Sequence, residues 1–174
     1  NTTQNNITWS PVTNLYTDAA ATVPYTTGTG AATVYVKSAT SGVTNYTATA
    51  TSSLGCTTSA VLAVTVNALP TVVVTNPAAA CFAATVDLTA ASVTAGSDAG
   101  LTFTYFTDAA ATLALANPIA VSASGTYYIK GTNTNGCSAV ASVVVTINAA
   151  PTVVTVNPAA GCSPATVDLT AASV

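Results

Sequence analysis

An internal period of 81 residues constrains this chain more than any other feature. Cys56 recurs as Cys137 and Cys81 as Cys162 at that spacing, and Asn67-Ala68-Leu69-Pro70 returns as Asn148-Ala149-Ala150-Pro151. Residues 85–93 reappear unchanged as 166–174, Tyr46 falls on Tyr127, and Gly55-Cys56 falls on Gly136-Cys137. Upstream the offset becomes 90: residues 17–22 match 107–112, so the first copy carries nine extra residues within 23–44. Self-similarity at a fixed period is the mark of a repeat architecture. Repeats of about 81 and 90 residues are therefore expected, together spanning almost the whole chain.

In repeat phase the sequence stops where it starts. Residues 1–67 read as a repeat without its opening strands, 71–148 as a complete repeat, and 152–174 as the first two strands of the next. The beginning at Asn1, with no Met and no apolar leader, reads as a processed form or an excerpt. Two arrangements fit. The chain is one period of a long covalent array, or residues 152–174 fill the incomplete first domain of another molecule, which is strand donation in a head-to-tail polymer.

Each repeat reads as all-β. Short β-rich runs separated by turn residues point to a sandwich. In the complete copy strands are expected near 71–76, 85–91, 101–106, 119–123, 126–132 and 139–148, with a weaker one near 112–115. Val86/Leu88/Ala90, Leu101/Phe103/Tyr105 and Val140/Ser142/Val144 alternate with the period of a half-buried strand. Asn133-Thr134-Asn135-Gly136 predicts a hairpin turn, and 67–70 and 148–151 read as Pro-stiffened linkers. Ala, Thr and Val make up more than half of the chain. Interleaved β-branched residues oppose helix despite the alanine, and the Ala triplets at 19–21, 78–80 and 109–111 read as loop fillers.

Composition narrows function. With no His, Arg or Glu, a histidine base, an arginine clamp and a glutamate acid are impossible. Two lysines in a chain of net charge −3 do not suit a nucleic-acid partner. The apolar runs, such as 72–74 and 143–145, are far shorter than the roughly 18 residues of a membrane span. A hydrophobic fraction of 50% with 4% charged residues builds cores rather than disorder. Few charges, many threonines and four cysteines suit an oxidising, extracellular setting.

Ile7-Thr8-Trp9-Ser10-Pro11, Gly125-Thr126-Tyr127-Tyr128-Ile129, Asn135-Gly136-Cys137 and the run from Cys162 to Ala171 resemble the immunoglobulin-like repeats of large Bacteroidota surface proteins. Those proteins are commonly exported by the type IX system and associated with adhesion and gliding. The resemblance implies tandem immunoglobulin-like sandwiches on a bacterial cell surface. It names no ligand, and the family's C-terminal sorting domain does not occur in this sequence.

The cysteines are the first candidates for chemistry. No close Cys pair and no His support a metal site, and no cofactor is expected. Cys81 and Cys137, 56 residues apart, are the candidate intradomain disulfide, and closing that loop stabilises by roughly 4 kcal/mol. The expected strand order sets them at opposite poles of the sandwich, about 30 Å apart, whereas a disulfide needs Cα atoms within about 7 Å. The rival is a junction staple, joining the first cysteine of one repeat to the second cysteine of the next. Cys56 and Cys162 have no intradomain partner and are the candidate junction or interchain cysteines.

The five aspartates do not cluster, which disfavours calcium. Asp87 reads as the outward residue of a strand. Lys37 and Lys130 read as strand lysines that discourage edge pairing rather than as half of a Ser–Lys dyad. Tyr46 and Tyr127 read as core or corner residues, while Tyr25 and Tyr35, inside the insertion, are the candidate surface contacts. Asn1, Asn6 and Asn45 lie in glycosylation sequons, a weak signal in bacteria. The expected function is a non-catalytic segment of an extracellular stalk, adhesin or filament whose partners are neighbouring repeats or copies of itself. The alternative is a carbohydrate-binding accessory module.

Overall fold

The computed structural model describes residues 6–158, 160–164 and 166–168, and the described chain is all-β. Its strands are β1 (Asn6–Ser10), β2 (Leu15–Tyr16), β3 (Tyr35–Val36), β4 (Gly42–Thr51), β5 (Thr57–Val66), β6 (Ala80–Cys81), β7 (Thr102–Phe106), β8 (Gly125–Thr132), β9 (Ser138–Val145) and β10 (Ile147–Asn148). Contacts divide the chain into two compact units. One holds Asn1–Val72, Ser97–Phe103 and Lys130–Ala139; the other holds Val73–Gly96, Thr104–Ile129 and Val140–Val174.

Two three-stranded sheets carry the architecture, and they share one plan. Their orders are β1-β4-β5 and β7-β8-β9, each built on a long hairpin that supplies its last two strands. Two smaller pairs accompany them, β2 with antiparallel β3 and β6 with parallel β10. This set of small sheets is consistent with a β-sandwich type of architecture.

The hairpin turns show how the sequence period becomes a structural one. At the second, the Asn133 N–H donates to the Cys137 carbonyl (2.9 Å) and the Gly136 N–H to the Asn133 carbonyl (3.0 Å). At the first, Ser52 bonds to Cys56 at 2.9 Å and Gly55 to Ser52 at 3.0 Å in the same pattern. Within each of these two turns positive φ falls on the glycine alone, Gly55 or Gly136, both at 82°, a conformation that costs glycine nothing. The Asn133 side chain anchors the loop instead, its Oδ1 accepting from the N–H groups of Asn135 (3.1 Å) and Cys137 (3.0 Å).

The sequence Thr-Asp-Ala-Ala-Ala-Thr folds identically in both copies. Asp18 accepts hydrogen bonds from the Thr22 N–H (3.0 Å), the Val23 N–H (2.7 Å) and the Thr22 hydroxyl (2.8 Å). Asp108 repeats all three with Thr112 and Leu113. The carboxylate holds the turn tightly enough that Ala21 and Ala111 both adopt a φ of 53°, a left-handed conformation unfavourable for a residue with a Cβ.

Several expected strands are something else. Residues 85–91 contain one bridge, Val86 to Val121, and then a turn. Asp87 does point outward between buried Val86 and Leu88, but its Oδ1 captures the Thr89 N–H at 2.7 Å and the Thr89 hydroxyl at 2.6 Å. Such a local bond competes with the sheet ladder and turns the chain. The segments near 112–115 and 119–123 likewise reduce to bridges at Ala114 and Val121, and 71–76 forms no strand. Conversely, Ala80 belongs to β6, not to a loop filler. Lys130 lies on β8, the central strand of its sheet, so it guards no edge.

The amides of Val23 and Leu113 are the main reason Asp18 and Asp108 titrate below the ordinary carboxylate value of 3.8. Because the folded pKa is depressed, the stabilisation from these turns is complete above that ordinary value and is lost as pH falls through the lower folded one. Acid titration followed by carboxyl carbon shifts should place both midpoints below 3.8; midpoints at or above it would contradict the hydrogen-bonded turns.

Candidate functional site: the uncovered face of the first sheet

Side chains alternate across a strand, so register decides which residues share a face. Tyr46 pairs with Leu62, Thr44 with Val64, and Trp9 with Ala48. Trp9, Tyr46, Ala48, Leu62 and Val64 therefore lie on one face of the β1-β4-β5 sheet. The buried core there is Leu15, Tyr25 and Tyr46, with Trp9, Val12, Ala31, Val34, Val36 and Val64 packed against it.

The insertion supplies much of this cover. Its loop is strapped to β1 by the Ala31 N–H on the Ile7 carbonyl (2.8 Å) and by Trp9 Nε1–H on the Ala31 carbonyl (2.9 Å). Tyr25 is consequently a core residue and not a surface contact: it is 3% exposed. Its hydroxyl donates to the Thr29 carbonyl (2.6 Å) and accepts from the Trp9 N–H (3.0 Å). A polar tip that finds such partners lets tyrosine fill a core. Tyr35 stays at the surface, 40% exposed, on β3. Tyr46 is buried with its hydroxyl on the Thr13 carbonyl (3.0 Å), and burial raises its pKa. Half-buried Tyr127 at the equivalent position bonds the Ala123 carbonyl (3.1 Å).

The cover stops short of β5. Leu62 is 51% exposed, although its repeat equivalent Val143 is 0% exposed. Val64 is half-buried where its equivalent Val145 is buried. Beside them lies an apolar groove of about 150 Å³, lined by Trp9, Leu15, Val34, Val36, Tyr46, Leu62 and Val64.

In the second copy the buried residues include Val86, Leu88 and Val93, which come from the segment ahead of β7. That segment is held by backbone bonds: Thr75 N–H to the Val93 carbonyl (2.8 Å), Val86 to Val121 in both directions (2.9 Å), and Ala80 N–H to the Thr146 carbonyl (3.0 Å). Within this chain the only other copy of its sequence is 166–174. There Val167, equivalent to the 6%-exposed Val86, is 44% exposed, and Val153, Val154 and Val156 are exposed as well. The equivalents of Leu88 and Val93, Leu169 and Val174, lie outside the described residues.

All four cysteines are free thiols; Cys56, Cys81 and Cys162 are exposed and Cys137 is half-buried. Cys81 pairs in register with Asn148, whereas Cys137 directly precedes β9. Among the described residues no group of three His, Cys, Asp or Glu side chains could hold a metal ion, and no helix is long and apolar enough to cross a membrane. No family model matches the chain, and no curated protein matches it either.

Equivalent positions in covered and uncovered sheets should respond differently to truncation. Val143→Ala should cost about 2 kcal/mol, lost transfer plus a cavity. In monomeric protein Leu62→Ala should stay within about 0.5 kcal/mol, as surface changes do. Denaturant unfolding of the two variants checks this, and equal losses would contradict an open first face.

Proposed function

We propose that this chain is a structural module of a head-to-tail filament or stalk, in which the open face of the first sheet is covered by a segment of the 152–174 type from its neighbour. One contrast carries this reading: Leu62 is half exposed where Val143 is fully buried. The residues that accompany the buried state in the second copy are repeated, identical in sequence, in the trailing segment. In a longer covalent array the preceding repeat supplies the same strands, so the face is filled by the same chemistry. Addition of a strand or strap to an unfilled sandwich combines main-chain hydrogen bonding with pockets for alternate side chains.

Each repeat is on this reading an immunoglobulin-like sandwich, with 1–67 and 71–148 as successive domains and 152–174 as the start of a third. The setting is extracellular, on a bacterial surface, supported by the low charge and by the resemblance to Bacteroidota surface repeats. Its role is mechanical and not catalytic. The carbohydrate-binding alternative loses ground because one of its two candidate aromatic contacts, Tyr25, is core.

The 174-residue chain should associate into oligomers by light scattering. Deletion of residues 149–174, or Val167→Asp, should leave monomers. A monomeric full chain, or a deletion that associates equally well, would overturn strand donation.

A further inference from the structure

The cysteines occupy opposite ends of their repeats, and the ends match across a junction. Cys56 directly precedes β5, which runs ten residues to Val66 and then into the linker, so it lies about 30 Å from that linker. Cys137 holds the same place before β9. The turn that carries it reaches back to the preceding linker, where Asn133 Nδ2–H donates to the Ala68 carbonyl (3.3 Å). The second cysteine of a repeat thus marks its leading end. Cys81 marks the trailing end, because β6 pairs it with Asn148, where the following linker begins.

The repeat relation brings these positions together. Ala149 is the 81-residue equivalent of Ala68, and Ser52 of Asn133. When the trailing segment of one chain enters the first domain of the next, the Cys56 turn of the acceptor takes the place of the Cys137 turn opposite Ala149 of the donor, with the Ser52 hydroxyl where Asn133 has its amide. Cys81 of the donor is already beside the adjacent Asn148. By the same relation Cys162 of the donor comes beside Asn67 of the acceptor, where the acceptor's Cys137 turn lies against Ala68.

We propose that the cysteines form junction disulfides between successive chains, Cys81 of one to Cys56 of the next and Cys162 of the first to Cys137 of the second. This inference rests on the strand-donated assembly proposed above. The oxidant is a disulfide such as oxidised glutathione. One cysteine thiolate attacks it, giving a mixed disulfide and one reduced glutathione; the partner thiolate then displaces the second. Two thiols lose two electrons and two protons, and two molecules of glutathione are released. Exposure of Cys56, Cys81 and Cys162 gives the reagent access.

The test treats the assembled 174-residue chain with oxidised glutathione, followed by denaturing gels without reductant and peptide mass spectrometry after peptic digestion. A covalent ladder containing 56–81 and 137–162 linked peptides is expected. The Cys56→Ser/Cys137→Ser double variant should lose the ladder on the gel yet assemble normally in native light scattering. A Cys81–Cys137 intrachain link, or native assembly that yields no interchain link, would overturn the staple while leaving strand donation intact. Absence of native assembly would overturn both.

Discussion

A sheet whose inner face is built from valine, alanine and threonine must be covered on that face or it does not hold together. Each such residue buries little area, so the core depends on a few larger side chains reaching it from outside the hairpin. In the second copy Val86, Leu88 and Val93 are buried; full burial of three such side chains is worth on the order of 5 kcal/mol. That is a large share of a small domain's net stability. In the first copy the insertion brings Tyr25 and Ala31 over β1 and leaves Leu62 open. The proposed filament rests on that half-open face.

The loops solve a different problem, that of fixing backbone turns in a chain almost without charge. The carboxylates of Asp18, Asp87 and Asp108 each gather backbone N–H groups and a threonine hydroxyl. Spent in this way, the few acidic residues are anchors of the fold. Desolvation raises the Tyr105 hydroxyl pKa, with a smaller contribution from the Asp87 charge.

Much of this was legible in the sequence because the repeat tied local structure to local chemistry. The two hairpins, the glycine turns at 55 and 136, and the Asp-Ala-Ala-Ala turns depend on neighbours a few residues away, so the identical Asp-Ala-Ala-Ala words fold identically and the shared Gly-Cys pairs turn alike. Three features were hidden for physical reasons. Val-Asp-Leu-Thr at 86–89 alternates like a strand, but the Asp87–Thr89 side-chain bond ends it. Ala80-Cys81 has no strand signal, and its pairing is imposed by β10 from far along the chain. Tyr25 sits in an insertion that reads as surface until its hydroxyl finds Trp9 and Thr29. The first repeat reads as lacking its opening strands, but that Leu62 in particular is the open position was not legible, since alternation marks a face as apolar without saying what lies on it.

The central claim is that Leu62 of one chain meets the trailing segment of another. A photoreactive amino acid at position 62, in chain mixed with isotope-labelled 174-residue chain, tests it by mass spectrometry of the cross-linked peptides. The account predicts labelled peptides from the 163–174 region joined to position 62. Cross-links confined to the same molecule, or to labelled peptides elsewhere in the chain, would contradict it.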